Sequence, residues 1–176
     1  MLRPRIIPSL LVQDNGLVKT VNFKNPKYVG DPINAVRIFN EKESDELVVI
    51  DIDATVKKED PDYKLIERLA SECRMPLCYG GGIISIQIAD KLFEIGVEKL
   101  SVQNIIFDNF GIITQITRKY GSQSLVVSID IKKDIFGRYK IYNSSKKIKY
   151  NFEISTFLKK IEDAGAGEIL INFVDN

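Results

Sequence analysis

Short apolar runs alternate with amphipathic stretches along the length of this chain. The runs are Arg5–Val12 (RIIPSLLV), Glu46–Ile52 (ELVVIDI), Leu77–Ile83 (LCYGGGI), Lys99–Val102 (KLSV), Leu125–Ile131 (LVVSIDI) and Glu168–Val174 (EILINFV). Uniformly apolar runs suit strands covered on both faces. Between them, Ile33, Val36 and Phe39 share one helical face in a stretch running to about Lys42. Leu65, Ile66 and Leu69 do so after Pro61, as do Ile112, Ile113 and Ile116 within Phe110–Tyr120. The stretch Ile86–Phe93 ends at Gly96, and Ile154–Ala164 ends at Gly165. Asp31-Pro32 reads as a helix start, with Asp as cap and Pro in the first turn. Asp14-Asn15-Gly16 is a turn that returns the chain through Leu17–Phe23. Pro8 marks a bulge or a position without a ladder hydrogen bond. Strand–helix alternation with short connections calls for parallel βα units, as a barrel or a doubly wound sheet.

The 176 residues suffice for one domain with a proper core, and 44% hydrophobic with 28% charged residues describes a globular chain. A net charge of +1 argues against nucleic acid or an acidic membrane as partner. The absence of a long apolar run or a signal-peptide pattern places the chain in the cytoplasm. Cys73 and Cys78 match no metal or redox spacing, and histidine is absent. No metal or cofactor is therefore expected, and acid–base chemistry falls to Asp, Glu, Lys, Tyr or Cys.

Gly80, Gly81 and Gly82 follow a buried run and precede Ser85 and a helix. Three glycines imply close backbone approach, either to a neighbouring element or to an anion held on free N–H groups. The two dinucleotide and P-loop glycine fingerprints are absent. Arg138–Tyr150 (RYKIYNSSKKIKY) mixes lysines with tyrosines. It reads as an exposed hairpin with a solvated lysine tip, its aromatics paired across strands, in preference to an RNA-binding segment.

The chain also repeats itself at a shift of about 120 residues. Ser9-Leu10-Leu11-Val12 matches Ser128-Ile129-Asp130-Ile131, and Glu46-Leu47-Val48-Val49 matches Glu168-Ile169-Leu170-Ile171. A duplicated four-strand half makes an eight-strand barrel, which favours the barrel over the open sheet.

Arg5-Ile6-Ile7, Gly30-Asp31-Pro32, Asp45-Glu46-Leu47, Gly80-Gly81-Gly82-Ile83, Gly121-Ser122-Gln123, Asp130 and Gly165-Ala166-Gly167-Glu168-Ile169-Leu170 together resemble the cyclase subunit of imidazole glycerol phosphate synthase. The resemblance runs nearly end to end. It implies a (βα)8 barrel that takes ammonia from a glutaminase and uses it on a phosphorylated nucleotide substrate in histidine synthesis. The family also includes barrels that supply ammonia for amidating nucleotide sugars of surface polysaccharides. Of the family's two catalytic aspartates, the resemblance gives the second as Asp130. Leu11 occupies the first, and Leu11 also faces Asp130 in the self-alignment. It further implies Lys19 and Phe23 in the first loop and a phosphate site at Gly81 and Gly82. The Asn-Thr pair of that site is Gln103-Asn104 here, still able to donate hydrogen bonds.

Arg5, Glu46, Lys99 and Glu168 stand at strand beginnings, which a barrel gathers at its lower mouth. Two cations and two anions there can form a structural ring that plugs the barrel. The resemblance implies instead a gate for ammonia. A complete barrel of this type takes about 250 residues. We therefore expect residues 1–176 to form a single barrel domain that stops after strand six, with strands one and six as open edges, the sequence being either a fragment or one whose edges something else covers. The expected function is an ammonia-channelling subunit, serving sugar amidation because one catalytic aspartate is gone while the gate is kept. The alternatives are a histidine-pathway cyclase that tolerates Leu11, and a non-catalytic scaffold that conducts ammonia.

Overall fold

The structure, a computed structural model, describes residues 3–21 and 23–175 and divides into two compact units. Of these, the first covers residues 3–21 with 25–100, and the second 101–175 with 23–24. In the first, the chain runs β1 (Ser9–Gln13), β2 (Gly16–Val21), β3 (Lys24–Gly30), α1 (Pro32–Glu41), β4 (Leu47–Asp51), α2 (Ala54–Lys57), α3 (Tyr63–Glu72), β5 (Leu77–Gly80) and α4 (Ile86–Glu94). β6 (Lys99–Val102) ends this unit with its first two residues and opens the next with its last two. The strand order is β3-β2-β1-β4-β5. β1 lies parallel to β4, and β4 to β5.

Local chemistry sets the helix starts. Asp31 accepts the Asn34 N–H at 3.0 Å with Pro32 in the first turn of α1, and Ser85 accepts the Ile88 N–H at the start of α4. Asp62, accepting the Leu65 N–H at 3.1 Å, begins α3 two residues after Pro61. These helices bury Ile33 and Val36, Ile66 and Leu69, and Ala89 and Leu92. Every residue of β5 is buried. Pro8 stands just before β1, and its carbonyl accepts from the Val48 N–H at 2.9 Å.

The expected open edge of strand one is corrected by the structure. Asp14 and Asn15 both have positive φ, +46° and +63°, which makes a tight hairpin and pairs β2 antiparallel with β1. The outer edge of β1 is thereby occupied from Leu11 to Gln13.

The second unit runs α5 (Ile105–Asp108), α6 (Ile112–Tyr120), β7 (Leu125–Lys133), β8 (Tyr139–Asn143), β9 (Ile148–Tyr150), α7 (Ile154–Asp163) and β10 (Glu168–Phe173). β10 is parallel to β7, and β7, β8 and β9 are successively antiparallel. Leu125–Ile131 is buried throughout, and α6 buries Ile112, Ile113 and Ile116 beside it. The expected Arg138–Tyr150 hairpin is β8–β9. Its base is joined to two helices by stacked rings: Phe107 on Tyr150 at 4.6 Å, Tyr150 on Phe152 at 5.2 Å, and Phe152 on Phe157 at 5.4 Å. Parallel strands alternating with helices, with β5 and most of β7 buried, are α/β architecture of the (βα)8-barrel type.

Candidate functional site

The internal repeat reappears as strand register. In the first unit Ser9 lies opposite Val48 and Leu11 opposite Ile50, while Leu11 faces Val18 on its hairpin side. In the second, Ser128 lies opposite Leu170 and Asp130 opposite Asn172, while Asp130 faces Tyr142 on its hairpin side. Leu11 and Asp130 thus hold equivalent positions. The set Leu11, Ile50 and Val18 is apolar where Asp130, Asn172 and Tyr142 are polar.

Asp130 is 4% exposed. Burial pushes its carboxyl above the ordinary carboxylate range, against hydrogen bonds from Ser144, Asn172 and Gln103 that pull it back. Asn172 Nδ2 donates to Asp130 Oδ1 at 3.2 Å. Nearby in the strand, the Ser128 and Ser101 hydroxyls pair at 2.8 Å, both buried. Such a carboxyl is suited to hold a proton nearer neutrality and pass it to a substrate.

A stability prediction arises here. The folded value of Asp130 is raised, so its favourable contribution is complete below the unfolded value and is lost as pH rises through the folded one. Asp130→Asn removes that loss. We expect the variant to be more stable than the parent at pH 7, by about 1.4 kcal/mol per pH unit of the upward shift, with the difference vanishing below about pH 4. Denaturant titrations of both proteins across this pH range check it, and a less stable variant at pH 7 contradicts it.

At the strand beginnings of the first unit, one oxygen of Glu46, Oε2, accepts from Lys99 Nζ at 2.6 Å and from Arg5 Nη1 at 3.1 Å. Glu46 is 2% exposed, so a buried carboxylate is neutralised by two cations. The structure brings these three expected residues together. Glu168, the fourth, begins β10 in the second unit, opposite Val126.

Gly81 and Gly82 form the β5–α4 turn, with φ of +123° and +68°. A Cβ on Gly81 would lie 2.5 Å from the Asp51 carbonyl oxygen and 2.8 Å from Asp51 Cβ. The glycines therefore answer, at the least, a close approach to the end of β4. The Gly82 N–H donates to Thr55 Oγ1 at 3.2 Å. Lys19 is exposed on β2. In the second unit Gln103 turns to Asp130, and Asn104 donates to Ser145 Oγ at 2.8 Å.

Sequence reasoning missed Asp51, at the carboxyl end of β4. Burial raises it, against the N–H groups of Ala54 and Asp53 that its Oδ1 accepts at 3.0 and 2.9 Å. It also missed Ser144 and Asn172 around Asp130. Lys57 closes the rim here with 2.7 Å pairs to both Asp14 and Asp53, and these raise its ammonium value. Among the described residues no set of three His, Cys, Asp or Glu side chains is placed to hold a metal ion, and no helix is long and apolar enough to cross a membrane.

A family model described as "Histidine biosynthesis protein" matches residues 5–176. A Vibrio vulnificus protein named as an imidazole glycerol phosphate synthase subunit is 52% identical over 177 residues, covering 100% of this chain and 68% of that one. A Pseudomonas aeruginosa protein named likewise is 48% identical over 175 residues, covering 99% of this chain and 70% of its own length. The imidazole glycerol phosphate synthase subunit HisF of Chlorobium phaeovibrioides is 37% identical over 175 residues, covering 99% of this chain and 69% of its own. With the barrel-type alternation and the register of its two halves, these matches mean that the chain belongs to the histidine-biosynthesis protein family, among the HisF-type subunits of imidazole glycerol phosphate synthase.

Proposed function

We propose that this chain is the barrel of an ammonia-receiving subunit. It works with a glutaminase and a phosphorylated small molecule, and its ammonia serves the amidation of nucleotide sugars for surface polysaccharide. The observation that carries this reading is the apolar set Leu11, Ile50 and Val18 at the position equivalent to Asp130. Acid–base chemistry at two opposed carboxylates needs one to take a proton while the other gives one. Here the first half offers no group at that position that can do either. The Glu46–Lys99–Arg5 cluster retains the charges through which ammonia would be admitted. Within the second unit, Asp130, Gln103 and Asn104 supply polar contacts for a substrate; within the first, Gly81, Gly82 and Lys19 are offered to a phosphate.

A second reading, a histidine-pathway cyclase, is favoured by Asp130 itself, which keeps its burial and three polar partners. The two readings part on the acceptor of nitrogen. The native complex is supplied with ammonium and either the cyclase family's nucleotide substrate or a nucleotide-activated sugar. Nitrogen incorporated into the sugar, without imidazole formed, is the expected result. Imidazole formation from the nucleotide alone reverses the assignment.

A further inference from the structure

The β7–β8–β9 segment is more cationic than its own carboxylates can answer. From Lys132 to Tyr150 it carries seven lysines and arginines against one acidic residue, Asp134. Asp134 is taken up at the first tip, where it accepts the Phe136 and Arg138 N–H groups at 2.8 and 3.0 Å and pairs with the Arg138 guanidinium at 2.9 Å. Lys146 pairs with Asp108 at 2.5 Å, and Lys149 Nζ donates to the Lys133 carbonyl at 2.6 Å. Lys132 and Lys140 are placed differently. They are register partners across β7 and β8, and both are half-buried. Residues directly opposite in an antiparallel ladder project to the same side, with Cβ atoms about 4.5–5.5 Å apart, and like charges so placed repel. Among the described residues neither lysine has a carboxylate partner. Lys132 Nζ lies over the Tyr142 ring at 5.0 Å, which puts its ammonium on the face that Tyr142 shares with its own register partner, Asp130. The Asp130–Tyr142 and Lys132–Lys140 steps are therefore successive on one face of the hairpin, about 7 Å apart along the strand.

We propose that Lys132 and Lys140 form an anion subsite that holds a phosphate group of the substrate beside Asp130. The inference rests on the reading of Asp130 as part of the substrate site, and it names what the substrate carries there: a phosphate ester or a diphosphate. Its logic is electrostatic. Two ammonium groups held close and partly withdrawn from water destabilise the empty hairpin. A dianion between them replaces that repulsion with two charge-assisted contacts. The same pair is thus a cost without a ligand and a clamp with one. Each ammonium is a compact charge with three donors, able to meet phosphate oxygens from its own strand. Cation–π attraction to Tyr142 already holds the Lys132 head, so Lys140 is the side chain left to reorganise. A phosphate bound there leaves the atoms attached to it within one step of the ladder from the Asp130 carboxyl, where a proton is held.

The test is calorimetric titration of the native protein with inorganic pyrophosphate, compared with Lys132→Gln, Lys140→Gln and Lys64→Gln. The last removes an exposed charge on α3 and controls for net charge. Parent and Lys64→Gln should bind alike, with affinity falling as salt rises. Lys132→Gln and Lys140→Gln should each bind about tenfold to a hundredfold more weakly. Melting curves give a second readout and show that each variant folds. Without ligand, Lys140→Gln should melt above the parent, because the like-charge pair is gone; with saturating pyrophosphate the order should reverse. A parent that does not bind pyrophosphate overturns the subsite, and so does equal affinity in parent and Lys140→Gln. Competition then separates the two sources of phosphate. Displacement of pyrophosphate by a nucleoside diphosphate sugar supports both the subsite and the amidation reading. Displacement by the cyclase family's nucleotide substrate alone keeps the subsite and overturns the amidation reading, and displacement by neither overturns the subsite.

Discussion

In the native complex supplied with saturating ammonium, Leu11→Asp should form imidazole product from the cyclase family's nucleotide substrate ~10²–10⁴-fold faster than the parent protein, the span that one acid–base group typically contributes. The position is set by register: Leu11 holds in β1 the place that Asp130 holds in β7. Leucine neither gives nor takes a proton, so the parent should show little or no such activity. The new carboxylate would stand between Ile50 and Val18, neither of which can donate to it, whereas Asp130 has Asn172. A half-buried carboxyl without donors should cost about 1–3 kcal/mol in a denaturant titration. Asp130→Asn in the Leu11→Asp background serves as the negative control. Robust imidazole formation by the unmodified protein would sink the amidation reading.

Lys99→Ala should separate the two nitrogen sources. Glu46 would keep a half-exposed Arg5 and lose the 2.6 Å partner that shares its buried surroundings. Removing one member of a buried ion cluster costs about 3–5 kcal/mol, because the remaining charge is left desolvated. A lower denaturant midpoint is therefore expected. If the cluster admits ammonia, glutamine-dependent turnover falls while turnover with added ammonium is largely kept. Equal loss with both nitrogen sources would assign the cluster to structure alone.

The apolar runs and helix stripes were legible because strand burial and helical periodicity are written in consecutive side chains. Asp31 and Ser85 announced their helices for the same reason. β3 (KNPKYVG) escaped because it is mostly exposed and carries Pro26 and two lysines, so no apolar run marks it. α2 and α5 are single turns, too short for a period to show. At the site, Asp130 was visible through the repeat. Ser144 and Asn172 were not, since a neutral residue gains its role only when the tertiary fold delivers it to a carboxylate. Gly81 was visible as an anomaly, but its neighbour Asp51 read as the tail of an apolar strand. The lysine tip read as solvated and is exposed, with Lys146 paired to a likewise exposed Asp108.

The stacked rings Phe107, Tyr150, Phe152 and Phe157 tie the timing of the site to residues that never touch it. They bind β9 to α5 and α7, so these segments should open to solvent together, as one cooperative unit in amide hydrogen exchange. The Ser144–Lys147 turn, held by polar contacts, should open separately, on the nanosecond-to-microsecond scale of loops. Two rates should therefore be seen in exchange around Asp130. The fast one belongs to the turn and the slow one to four aromatic rings, and substitutions among the rings would change the slow one without altering a single polar contact at the carboxylate.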